Sequence, residues 1–195
     1  MRTNQICHTI KNLKLNGYNV FIKALAVNEL KSRSGIYQRY IKQIKSSEYA
    51  RFTEQSIHDA AYTGMLETLK QIEEEKLYDE LKIYKRNDPY GDLEVIFESN
   101  YKNYRKGVVE VIKKERERKW SIDEYYNYVE KNNQCIKFFI QRNEDEKYIK
   151  DIEELNKKAK QMLEEKISIR QKISDIKIAK NKQKNVSLKQ IEKER

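Results

Sequence analysis

The sequence predicts an all-α protein: an elongated helical bundle with a long C-terminal helix, coiled-coil-like in its packing, and a basic tail. Three observations predict it. Five glycines and one proline in 195 residues leave too few turn signals for a strand-rich fold. Apolar residues return at three- and four-residue spacing almost everywhere before residue 180. Residues 121–185 contain neither glycine nor proline.

The elements follow in order. Ile6, Ile10 and Leu13 share one helical face, and Asn16-Gly17 supplies a stop. Phe21, Ala24, Leu25, Asn28 and Lys31 trace a second helix that Gly35 ends. Tyr37, Tyr40, Ile41 and Ile44 trace a short third, and Ser46-Ser47 offer the next N-cap. Ile57, Ala61, Met65, Leu69 and Ile72 form a long stripe, which Leu77, Leu81 and Tyr84 continue with a slight rotation. Asn87-Asp88-Pro89-Tyr90-Gly91 is the strongest turn in the chain. Asp92 can cap a helix striped by Phe97, Tyr101, Tyr104, Val108 and Ile112, with Gly107 inside it. Ser121 and Glu124 have capping-box spacing, and Tyr125, Val129, Asn133, Ile136 and Ile140 line the helix they open.

The clearest periodic signal comes last. Ile152, Leu155, Ala159, Met162, Lys166, Ile169, Ile173 and Ile176 alternate three- and four-residue steps, as in a helix that packs along another. After Ile178 the periodicity is lost. The expected organisation is a bundle over 1–145, a long protruding or partner-packing helix over 146–184, and a basic tail or short helix over 185–195.

Charged residues are 37% and apolar residues 38%, so the core should be thin. The net charge of +10 is uneven. Residues 1–50 carry nine basic and two acidic groups, whereas 51–100 carry six and twelve. A polyanion would meet the basic ends and be repelled by the middle. Lys11, Lys14, Arg33, Arg39, Lys42, Lys45, Lys180, Lys182 and Lys184 are the candidate nucleic-acid contacts.

Several chemistries lack their motifs. No GxxxxGK[ST] or GxGxxG is present, which argues against a nucleotide-hydrolysing or dinucleotide-binding enzyme. His8 and His58 are the only histidines, and no zinc set surrounds them; both read as structural or surface groups. Acidic runs such as Glu73-Glu74-Glu75 read as solvated helix charges. No catalytic, cofactor or metal residues are expected. Cys7 and Cys135 match no disulfide or metal pattern, which suits a reducing intracellular compartment, cytoplasm or organelle matrix. The basic, nearly acid-free N-terminus has a faint targeting-like balance. No apolar run reaches the ~20 residues of a membrane span.

The expected function is a non-enzymatic structural or adaptor subunit of a larger assembly. Its partners would be other protein subunits, or a second copy, held through Ile152, Leu155, Met162, Ile169, Ile173 and Ile176. The alternative is an accessory protein that binds RNA or DNA, for example of a mobile element. The two separate by salt dependence, since phosphate contacts weaken steeply with salt.

Overall fold

A computed structural model gives the fold and describes residues 3–46, 49–86, 92–165 and 168. The order is α1 (Thr3–Leu15), β1 (Phe21–Ala26), α2 (Glu29–Ser46), α3 (Gln55–Glu74), β2 (Glu80–Arg86), β3 (Leu93–Asn100), α4 (Val108–Arg116) and α5 (Ile122–Gln141). A further helix, α6, covers 146–165. The three strands form one mixed sheet in the order β1-β2-β3. β1 and β2 are parallel, with Ile22 opposite Leu81 and Ala24 opposite Ile83. β2 and β3 are antiparallel, with Ile83 opposite Phe97 and a bulge beyond it.

The all-α expectation is therefore corrected: the protein is mixed α/β. The physical reason lies in β2. Leu81 and Ile83 stand two apart and both are fully buried, while Lys82 and Tyr84 face the other way. That is strand periodicity. Leu77 and Leu81 also stand four apart, so the same residues satisfy a helical spacing. The scarcity of turn residues misleads for a related reason. Parallel strands are joined by a crossover instead of a tight turn, and here α2 and α3 supply it. The helix expected from Phe21 to Gly35 divides into β1 and the start of α2, and Gly35 lies inside α2 instead of ending it. The stripe from Phe97 to Ile112 divides too. Gly107 has φ +103° and sits at the N-cap of α4, a left-handed position that a β-carbon strains.

Some local signals appear where the spacing puts them. Gly17, at φ +80°, ends α1 with Tyr18 N donating to Leu13 O and Gly17 N to Lys14 O. Ser121 and Glu124 close a reciprocal capping box on α5. The turn at 87–91 lies outside the described residues.

Two apolar clusters hold the chain together. The first packs Cys7 and Ile10 of α1, Leu69 and Ile72 of α3, and Val108 and Ile112 of α4 on one face of the sheet. Glu73 is buried at this junction; its carboxylate accepts from Val108 N at 2.9 Å and so caps α4. This corrects its reading as a solvated charge. The second cluster joins Leu30, Tyr37 and Ile41 of α2 to Trp120, Tyr128 and Phe139. Ile152, Leu155 and Ala159 of α6 complete it. These three seam positions are thus covered by the chain's own helices. Met162 is 40% exposed, and positions 166, 169, 173 and 176 lie outside the described residues. No helix among the described residues is long and apolar enough to cross a membrane.

Candidate functional site

The parallel pair decides where a ligand can sit. β1 and β2 end on the same side, at Ala26 and Arg86. A cavity of about 430 Å³ opens there, lined by Leu25, Ala26, Val27, Asn28 and Arg86. Open α/β sheets bind ligands outside the carboxyl ends of their strands. Four successive turns of α2 add Lys31, Ser32, Gln38, Arg39 and Lys42, and the far wall comes from Arg118, Trp120, Glu124, Tyr128 and Lys131. Six cationic side chains and two carboxylates, Glu115 and Glu124, line the cavity. An anion is the ligand such walls favour.

The tightest charge cluster is in that far wall. Glu124 Oε1 accepts from Lys31 Nζ at 2.8 Å and from Arg118 Nη2 at 2.7 Å. Its Oε2 accepts from Arg118 Nη1 at 3.0 Å and from Ser121 N at 2.8 Å. The Arg118 contact is bidentate, the geometry by which guanidinium grips carboxylate and phosphate alike. The Arg118 hydrogen bonds, with Lys31 next, hold the Glu124 carboxyl well below the ordinary carboxylate range. Glu124 likewise pushes Arg118 up. Lys31 also lies 4.8 Å over the Trp120 ring.

Beneath the cavity runs a buried polar chain. Gln38 Nε2 donates to Ser34 Oγ at 2.9 Å, and Ser34 Oγ donates to Asn132 Oδ1. Asn132 Nδ2 then donates to Asn156 Oδ1 at 2.7 Å. Each buried group has a partner, and the chain ties α2, α5 and α6 to the cavity floor.

The residues expected to contact nucleic acid do not share one surface. Lys11 pairs with Glu75 at 2.6 Å and Lys14 with Asp79 at 2.8 Å, both on the sheet side of the molecule. Arg33 lies 3.8 Å from Glu29, and Lys45 lies over the Phe138 ring. Arg39 and Lys42 line the cavity. Lys180, Lys182 and Lys184 lie outside the described residues. Sequence reasoning missed Lys31, Arg86, Arg118, Glu124 and Lys131 as one group. Glu124 reads in sequence only as a capping-box residue and Lys31 only as part of a helical stripe, and only the fold brings the five to one cavity.

A parallel strand pair with a helical crossover, and a charged cavity at its carboxyl ends, define the chain as an α/β protein. A family model described as Zeta toxin matches residues 2–100, half of the chain, and the chain belongs to that family. The match runs from α1 through β3 and includes the cavity residues on β1, α2 and β2. A comparison with curated proteins finds no match. Zeta toxin domains belong to the P-loop kinase-like enzymes, which have phosphotransferase activity. The expectation of a non-enzymatic adaptor subunit, all-α and coiled-coil, is corrected on that finding. It rested on the apolar seam from Ile152 to Ile176 and on the missing phosphate-cradling motif, which is one way of holding a phosphate and not the only one.

The motif's backbone cradle does not fit this chain. The β1–α2 connection is only Val27-Asn28. At the GxxxxGK[ST] spacing, Leu25 and Leu30 stand at the two glycines, and only Lys31-Ser32 keeps the pattern. Leu30 is buried in the second core cluster. Its amide, at the head of α2, is taken by Asn28 Oδ1 at 3.0 Å. The Ser32 amide is likewise taken, by Asn28 O at 2.9 Å. The cations that line the cavity are side chains: Lys31, Arg39, Lys42, Arg86, Arg118 and Lys131.

Proposed function

We propose that the chain is a phosphotransferase whose phosphorylated ligand binds in the cavity at the carboxyl ends of β1 and β2, gripped by side-chain cations instead of a glycine-rich loop. The observation that carries this reading is the convergence of Lys31, Arg39, Arg86 and Arg118 on one cavity, in a member of a phosphotransferase family. Lys31 stands on the strand–turn–helix unit where the motif's lysine stands. Lys31 and Arg118 are the primary phosphate grips, and Glu124 holds both in place until an anion arrives. Arg39, Lys42 and Lys131 supply the outer field that draws a polyanion in. Phosphoryl transfer relies mainly on positioning and charge stabilisation, which cations of this kind provide. The buried, unpaired thiols of Cys7 and Cys135 support a reducing compartment for the protein.

Calorimetric titration with ATP and magnesium, followed by a radiolabelled phosphoryl-transfer assay, tests the reading. Binding is expected in low salt, weakened at least tenfold by Lys31→Met. The absence of both binding and transfer by the wild-type chain overturns it.

A further inference from the structure

The cavity wall holds a second constellation that phosphate binding does not use. Ser32 lines the cavity from α2, and its Oγ lies 2.9 Å from Nε2 of His58 on α3. Nδ1 of the same ring lies 2.8 Å from Oδ1 of Asp59. An ionised carboxylate can only accept, so Nδ1 carries the hydrogen. Nε2 of the neutral ring is then the acceptor, and the Ser32 hydroxyl donates to it. The imidazole stacks on Tyr62, with centroids 5.6 Å and planes 22° apart. Tyr62 is itself anchored, its hydroxyl donating to Val27 O at 2.9 Å. The His58 side chain is 9% exposed, while that of Asp59 is 42% exposed. The ring is thus sheltered and its carboxylate partner stays hydrated.

We propose that Ser32 is a nucleophile, with His58 as its general base and Asp59 orienting the base, and that it accepts a phosphoryl group from a phosphoanhydride held in the cavity. The geometry meets the requirements for such a site: nucleophile against base, base against orienting group, and open space at the nucleophile. The surrounding cations select a phosphoryl donor over a neutral acyl one. In the step, Ser32 Oγ bonds to phosphorus as the bridging P–O bond breaks, and the bond's electron pair leaves with the departing phosphate. The Oγ proton passes to Nε2 of His58. The imidazolium, stabilised by Asp59, then returns that proton to the leaving group. The plainer alternative is that Ser32 and His58 merely tie α2 to α3, and it predicts an inert hydroxyl.

The phosphoryl step rests on the phosphotransferase reading of the cavity, but the activation of Ser32 does not, and the test separates them. The full chain is treated with a fluorophosphonate, which needs only an activated serine, and the adduct is mapped by tandem mass spectrometry. A parallel sample is incubated with ATP and magnesium. Labelling at Ser32 is expected, slowed by about 100-fold or more in His58→Gln, the scale of general-base assistance. Circular dichroism confirms that the variant folds, and the mapping on the wild type stands without it. No adduct at Ser32, or one formed equally fast in His58→Gln, overturns the proposal. Phosphate from ATP on Ser32 upholds the whole proposal. A fluorophosphonate adduct without phosphate upholds the nucleophile and overturns the phosphoryl step, while the phosphotransferase reading stands or falls on its own binding and transfer assay.

Discussion

Lys31 Nζ and Glu124 Oε1 lie 2.8 Å apart although 93 positions separate them in sequence. This ion pair bridges the family-matched part of the chain and the helices that follow it. Both side chains are only 19% exposed, so the contact is partly shielded from water. Glu124 occupies on Lys31 and Arg118 the kind of position that a phosphate oxygen would take.

Glu124→Gln should therefore move two properties in opposite directions. Losing the charge-assisted contacts should cost about 1–2 kcal/mol of stability, allowing for partial exposure. Releasing Lys31 and Arg118 should tighten binding of an anionic ligand. Urea unfolding and calorimetry with inorganic pyrophosphate read the two effects. A variant that is destabilised but binds pyrophosphate less well would show that Glu124 shapes the grip instead of competing for it.

Acid should weaken the protein through the same residue. The folded state holds the Glu124 carboxyl below its usual value, mainly through Arg118 and then Lys31. The folded chain thus binds fewer protons here than the unfolded chain. The resulting stability is fully present above the unfolded carboxyl value of about 4.3 and is lost as pH falls through the depressed folded value. Wild type and Glu124→Gln should converge in urea midpoint as pH drops below about 4. Parallel curves down to the lowest pH would refute the assignment.

The polar chain under the cavity makes a separate prediction. Asn132→Leu takes the acceptor from the buried Ser34 hydroxyl and the donor from Asn156 Oδ1. It should cost about 1–3 kcal/mol, read as a shifted urea midpoint with unchanged slope. A shift near zero would mean that water replaces Asn132 without penalty.

Leu155→Asp distinguishes an internal seam from an interface. Leu155 is fully buried against the chain's own helices, so an uncompensated charge there should cost about 3–5 kcal/mol. Met162→Asp, at an exposed position on α6, should stay within about 0.5 kcal/mol. Thermal denaturation of each variant decides the matter, and equal small effects would show that α6 does not pack as described.

The glycine positions offer a check on how phosphate is held. Leu30→Gly would restore one residue of the P-loop pattern but empty a core site. It should lose about 3–5 kcal/mol from the cavity and the helix propensity together. A stable variant with improved nucleotide binding would show that the backbone cradle forms after all.

Much of the local structure was legible. The Schellman end at Gly17, the capping box at Ser121 and Glu124, and the buried stripe of Ile152, Leu155 and Ala159 all follow from short-range spacing. The strands did not. Ala24 is half-buried beside Ile83, and Ile83 is fully buried beside Phe97. Those partners lie beyond any window in which helical and strand spacing compete. The site was less legible still, since no local pattern joins Lys31 to Arg86 and Arg118, which lie 55 and 87 positions further along the chain.

By itself the sequence determined the end of α1 at Gly17, the cap of α5 at Ser121, the buried stripe of α6, and an excess of positive charge. Tertiary structure alone decided that β1 and β2 run parallel, so that their ends open on a common cavity. It also decided that Glu124 meets Lys31 and that His58 meets Ser32. The physical reason is the range of the interactions. Caps and stripes are set within a few residues by backbone geometry. Strand pairing, charge convergence and a serine–histidine contact need groups remote in the chain, which meet only when both apolar cores close.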